Sequence, residues 1–181
     1  MNDGHASNIQ IDLIPENTRI DAITFYSGRA YVFDNNTHMI YRYDSSGDGA
    51  TAKYTNGKKW ITDSGKPTDI VALTADTSLW LRTATGAVLK YTAGKLQPFH
   101  ISNITPDVTH IGAIISGTSN NIYFLDDEQH RMVITDRDGK MLKQYQYDAA
   151  TSLTHLSIDK NETTATGVTD DGHIVSFALS K

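Results

Sequence analysis

The chain has no cysteine. That excludes disulfides, thiolate zinc sites and cysteine nucleophiles, and it leaves the redox compartment open. Nor is there an apolar run near the roughly 18 residues that a membrane-spanning helix needs. The best candidate, Ile111–Ile115, has only the length of a strand, so no membrane insertion is expected. Lys and Arg nowhere gather into a stripe: Lys58-Lys59 and Arg137–Lys143 are short and interrupted, and the net charge is −5. Nucleic acid is therefore not an expected partner. Prolines are few and fall in connections or at strand edges. No stretch of about eleven residues keeps a helical period. Gly-x-Ser-x-Gly, a phosphate-cradling glycine loop before a helix, and a Ser–His–Asp grouping outside turns are all missing, which removes the usual signatures of nucleophilic and phosphoryl-transfer catalysis. The opening residues MNDGHASN have neither the basic nor the apolar part of a signal peptide. Residues 1–7 read as a disordered, cut edge of a longer chain.

What is present is a folded domain's composition, 39% hydrophobic and 20% charged, in a chain of 181 residues. That is enough to bury a core. Richness in Thr, Ser, Asn and Asp with modest Lys leans towards an extracytoplasmic bacterial setting.

The dominant signal is internal repetition. YVFDNNTHMIYRYDSSG (31–47) aligns without a gap on YFLDDEQHRMVITDRDG (123–139), pairing Tyr31 with Tyr123, Asp34 with Asp126, His38 with His130, Asp44 with Asp136 and Gly47 with Gly139. The acidic group Asp126-Asp127-Glu128 with His130 invites a metal or acid/base reading. Its sister copy replaces Asp127 and Glu128 with Asn35 and Asn36, and the other copies read Thr83-Ala84-Thr85-Gly86 and Thr169-Asp170-Asp171-Gly172. What the four share is turn chemistry between alternating apolar runs, so the cluster is read as a hairpin turn.

Strand starts recur at Ile20, Ile70, Ile111 and Leu156, a period of about 45 residues with four short alternating runs in each unit. The expected fold is all-β: a β-propeller of about four four-stranded antiparallel blades. The expected blades span 19–66, 67–107, 108–152 and 153–181. The last has only three runs, and the surplus run NIQIDLI (8–14) is expected to close it; the alternative is that these blades belong to a larger propeller. Blade edges also offer a route to self-association.

From Ser78 onward, SLWLRTATGAVLKYTAGKLQPF and NNIYFLDDEQHRMVITDRDGKMLKQYQYD resemble the propeller-like, NHL-like repeat region of bacterial proteins that also carry a PPM-type phosphatase-like domain. The resemblance implies an accessory propeller. The phosphatase's metal-binding aspartate motifs do not occur here.

Two candidate sites stand beside structural alternatives. Asp44, Ser46 and Asp48 have the spacing of the first half of a calcium loop, although Thr55 stands where such a loop needs Glu. Asp21, Asp69, His110 and His155 occupy matching positions at the start of each unit; around a central channel they would suit a divalent ion, or would cap strand ends. The aromatic residues Tyr31, Tyr41, Tyr43, Trp60, Trp80, Tyr91, Tyr123, Tyr145 and Tyr147 are expected mainly as core. The sequence thus points to a non-catalytic binding or scaffolding module that uses no cofactor and presents Ser45–Thr51, Asn56–Lys66 and Ser102–Asp107 to a protein or glycan. A second reading is an ion-binding propeller. A third is a hydrolase or lyase with His110 or His155 as base.

Overall fold

The computed structural model describes residues 10–12, 18–46, 52–62, 66–116, 120–148 and 151–179. Every regular element among them is a strand. The first sheet contains β2 (Ile20–Tyr26), β3 (Arg29–Asp34), β4 (Met39–Ser46) and β5 (Lys53–Lys59); the second contains β6 (Ile70–Ala75), β7 (Leu79–Thr83), β8 (Val88–Thr92) and β9 (Lys95–Gln97). The third holds β10 (Ala113–Ser116), β11 (Ile122–Asp126), β12 (Arg131–Thr135) and β13 (Met141–Gln146), and the fourth β14 (Leu153–Ile158), β15 (Thr164–Thr169) and β16 (Ile174–Ala178). In each sheet these strands neighbour one another in chain order. This is the fold of a four-bladed β-propeller.

One expected detail is different. Of segment 8–14, only Gln10–Asp12 are described, and β1 (Gln10–Ile11) pairs in parallel with Lys53 and Tyr54 of β5. Asp12 N adds a bond to Tyr54 O at 2.9 Å. The segment therefore extends the first sheet to five strands and leaves the fourth with three. The outer edge of β5 offers a free row of backbone groups close by in the same unit, which satisfies the strand as well as any other edge would.

The turns explain why the chain folds in this pattern. Asp34 ends β3 fully buried, its Oδ1 accepting from Asn36 N at 3.1 Å and Arg19 N at 3.0 Å while Thr37 Oγ1 donates to Oδ2 at 2.7 Å. Thr83 Oγ1 accepts from Ala87 N at 3.0 Å, and Thr169 Oγ1 from His173 N at 2.8 Å. The third copy, Asp126, accepts from Gln129 N at 3.3 Å. In the two longer turns the last residue, His38 or His130, takes φ of 50° or 49°; in the two shorter ones Gly86 and Gly172 take 78° and 85°. A turn of right-handed residues must end on one left-handed residue for the strands to meet in register, and His is among the side chains that tolerate it.

By contact the chain forms two compact units, Met1–Ile70 with Ala93–Lys95, and Val71–Thr92 with Leu96–Lys181. In the first, Ala30, Val32, Phe33, Ile40 and Tyr43 are fully buried, and Tyr31 meets Trp60 edge-on at 5.5 Å. In the second, Trp80, Ile101, Ile111, Ile122, Phe124 and Val133 form a core to which Phe99 adds, lying 4.9 Å from Trp80 at 81°.

A glycine recurs in both units for a reason that lies outside its own turn. Gly94 and Gly139 have φ of 80° and 88°, and a Cβ on either would come within 2.2 Å and 2.1 Å of the carbonyl oxygens of Trp60 and His100. The connectors after β5 and after β9 thus lie directly on the turns that hold Gly94 and Gly139, bonded by Thr62 N to Gly94 O and Ser102 N to Gly139 O.

Gly139→Ala is therefore expected to cost about 3 kcal/mol or more, from left-handed strain plus overpacking. Gly28→Ala, with φ 71° but nothing within 4 Å, should cost about 1 kcal/mol; urea midpoints of the two variants compare them. A second prediction concerns Asp159, whose carboxylate accepts from the Thr164 and Thr163 amides at 2.6 Å each and from Asn161 N at 3.2 Å. The Thr164 bond first, then those of Thr163 and Asn161, hold its pKa below the usual carboxylate value. A lowered pKa means stabilisation that is present above the unfolded value and is lost as pH falls through the folded one. Amide resonances of Thr163 and Thr164 should move together below about pH 4, and Asp159→Asn should abolish that step.

Candidate functional site

The acidic group of the third sheet is put to structural use. Arg131 opens β12, with its side chain 3% exposed, and donates from Nε to Asp126 Oδ2 at 2.7 Å. Its Nη2 reaches Pro106 O at 2.6 Å and its Nη1 reaches Gln144 Oε1 at 3.2 Å. One guanidinium thereby ties the hairpin, the outer strand and the connector Ser102–Asp107 together. The charge is buried, but its donors are met, which is the condition under which a buried ion is tolerated. The Thr105–Pro106 peptide bond in that connector is cis.

The connector continues to Thr109 and His110. Thr109 donates to Glu128, and His110 Nδ1 lies 2.7 Å from Asp127 Oδ1. On its other side the imidazole presses on Gly86, where a Cβ would lie 2.2 Å from Cδ2 and 2.7 Å from Nε2. The imidazole is thus packed between a carboxylate and a glycine, with its side chain 30% exposed. Tyr147 Oη is buried, with no hydrogen-bond partner among the described residues. Burial first, then the charges of Asp127 and Asp126, push its pKa up to about 12, so it stays a neutral phenol at ordinary pH. Burial also raises Tyr123, helped by its 2.7 Å bond to Glu162.

The four matched positions differ in their local surroundings. Asp21 pairs with Arg19 at 3.3 Å. Asp69 sits in a bend before β6 with φ 55°. His110 is held by Asp127, and His155 is exposed on β14 beside Thr154 Oγ1 at 3.0 Å. Among the described residues no group of three or more His, Asp or Glu side chains could hold a metal ion. Two residues of the calcium-loop candidate lie in a strand. Asp44 and Ser46 belong to β4, where Asp44 Oδ1 accepts from Arg29 Nε at 3.3 Å and Ser46 Oγ donates to Lys53 O at 3.1 Å; Asp48 lies outside the described residues. The strand continues through these positions because cross-strand pairing to Lys53 and Tyr54 satisfies the backbone better than a turn would.

Two half-open cavities are left with unused chemistry. One, of ≈ 210 Å³ in the second unit, is lined by Gly86, Val88, Phe99, His100, Val108 and Thr109 among others. It is lined by polar and apolar surface alike and sits beside the connector that Arg131 fixes. The other, of ≈ 290 Å³ in the first unit, is lined by Arg42, Lys58, Lys59, Trp60 and Ala93. Reading the sequence did not assign Arg131 or the second cavity. For the cavity the signal was the pair Lys58-Lys59, too short to stand out until strand register sets Arg42 beside it. Asn56–Lys59, expected as loop, is part of β5.

No family model and no curated protein matches the chain. Solved structures do. The computationally designed Ika4 protein superposes with a TM-score of 0.61 at 14% identity, over 94% of this chain and 97% of that one. Virginiamycin B lyase from Staphylococcus aureus gives 0.52 at 17% identity, over 92% of this chain and 58% of that one. YCF48 bound to D1 peptide gives 0.53 at 11% identity, over 91% and 52%. The chain thus spans nearly all of Ika4 and little more than half of the other two. At these identities the likeness establishes the fold alone.

Removing Arg131 would leave Asp126 charged and unpaired in the interior. Arg131→Met is expected to cost about 3–5 kcal/mol. The double variant Asp126→Asn with Arg131→Met should recover a large part of that loss, measured as a double-mutant cycle in urea.

Proposed function

We propose that this chain is a non-catalytic binding or scaffolding propeller, an accessory module of a larger bacterial protein, that presents rigid loops to a protein or glycan partner. The observation that carries this reading is the use made of the third sheet's reactive side chains. Asp126 and Arg131 form a buried strut, and His110 is clamped between Asp127 and Gly86. The strut stiffens Ser102–Asp107 beside a cavity of mixed polar and apolar lining, and loops held by rigid strands are where recognition concentrates. The likeness from Ser78 onward to propeller regions that accompany PPM-type phosphatase-like domains supports the accessory role, and the richness in Thr, Ser, Asn and Asp supports an extracytoplasmic setting. YCF48, among the structural neighbours, is seen with a D1 peptide, in line with a peptide-sized partner.

The lyase reading rests on the His110–Asp127 contact and on the resemblance in fold to virginiamycin B lyase, a form of which is described with quinupristin. Against it stands the use of the imidazole in packing, bonded to Asp127 and lying on Gly86.

Titration of the intact chain with soluble bacterial-envelope glycan fragments and with extended peptides, followed by amide NMR, tests the proposal. Saturable shifts at Thr105, Val108 and Thr109 with no chemical change in the ligand are expected. Conversion of quinupristin by the chain, lost in His110→Ala, would overturn it.

A further inference from the structure

The cavity of the first unit has a composition that the rest of the chain avoids. Arg42 on β4 stands directly opposite Lys58 on β5. Like charges placed opposite each other on one face of a sheet are destabilising, so such a pair is retained at a cost to the fold. Between Arg42 and Asp44 the register shifts, and Asn56 and Gly57 together face Tyr43. Asn56 has φ 56°, and a Cβ on Gly57 would lie 2.4 Å from the Tyr43 ring. This is a β-bulge, a device that re-aims side chains; beyond it Lys58 falls level with Arg42, and Trp60 N bonds Ile40 O at 2.8 Å. Alternation along β4 and β5 then sets Arg42, Lys58 and Trp60 on one face.

The charges there are under-compensated. Arg42 Nε is buried with no hydrogen-bond partner among the described residues. Asp44 is 3.8 Å from it, beyond hydrogen-bond reach, and is closer to Arg29 at 3.3 Å. No ion pair engages Lys58 or Lys59 among the described residues. The indole of Trp60, half-buried and braced edge-on by Tyr31, forms one wall, and Ala93 another.

A guanidinium whose Nε lacks a hydrogen bond, with the Lys58 ammonium beside it, answers an oxyanion, since Arg offers paired donors and Lys a point charge. The adjoining indole answers a flat or ring-shaped body. We propose that this cavity binds a sugar carrying a phosphate or sulfate, with Arg42 and Lys58 on the oxyanion and Trp60 against the ring. This rests on the binding role proposed above and gives it a ligand class. The net charge of −5 makes the specificity sharper, because an anion is repelled by most of the surface and attracted here.

Tryptophan fluorescence and amide NMR of the intact chain, titrated with glucose 6-phosphate, glucose 6-sulfate, inorganic phosphate and glucose, test the proposal. Saturable changes centred on Trp60 are expected with the charged sugars, weaker ones with inorganic phosphate and none with glucose, and affinity should fall as salt rises. Lys58→Gln, at an exposed position, and Arg42→Gln should each weaken binding about tenfold, whereas Lys143→Gln on β13 should not. Equal binding of inorganic phosphate and the sugar phosphates would overturn the saccharide assignment, and binding unchanged in both variants would overturn the site. Shifts confined to Thr105–Thr109 with glycans or peptides, and none at Trp60, would overturn this proposal while leaving the binding module standing. Silence with every ligand would overturn both.

Discussion

In all four sheets a side-chain oxygen at the end of the second strand receives an amide from the turn that follows: Asp34, Thr83, Asp126 and Thr169. A strand end brings unsatisfied amides to the start of a turn, and a short acceptor on the last strand residue meets them without lengthening the loop. The left-handed residue that closes the turn, whether His or Gly, follows from the same geometry. Everything further out is spaced by that hairpin, including the outer strands and the connectors that cross to the next sheet.

The third copy shows how a repeated device acquires a second task. Arg131 follows its turn where Met39 stands in the first copy. Asp126 therefore serves a guanidinium as well as an amide, and through it the connector Ser102–Asp107 is fixed. Low dielectric makes this arrangement worthwhile only when each nitrogen of the guanidinium is engaged, which the Pro106 and Gln144 contacts secure for the two Nη atoms. A cluster with the composition of an active site is thus a joint, and it lends its rigidity to the connector beside the neighbouring cavity. The first copy spends its equivalent positions on ordinary packing and places its unsatisfied charge elsewhere, at the bulge of β5.

Much of the fold could be read directly, because its determinants are local. Period-two alternation in RAYVFD and IYFLD, the Asp–Asn–Gly punctuation, and the gap-free match of 31–47 with 123–139 required no knowledge of distant partners. The same comparison identified Asp127 and Glu128 as dispensable for the turn. The candidate sites were less legible. Asp44 and Ser46 look like the start of a loop until cross-strand bonds to Lys53 and Tyr54 extend β4 through them. Asp21, Asp69, His110 and His155 match in sequence phase, yet Asp21 falls at a bulge of β2, Asp69 in a bend before β6 and His110 in the long connector before β10.

The amino-acid sequence by itself determined the strands, the turns and the repeat, since each depends on backbone preferences and side-chain oxygens within a few residues. Only the tertiary structure decided that Gln10–Ile11 lies along β5, that Arg131 reaches Pro106, and that Arg42 faces Lys58 beside Trp60. Those outcomes depend on register across strands, where a single inserted residue at Asn56–Gly57 shifts which side chains meet. No local pattern records that shift, because its consequence appears on the partner strand.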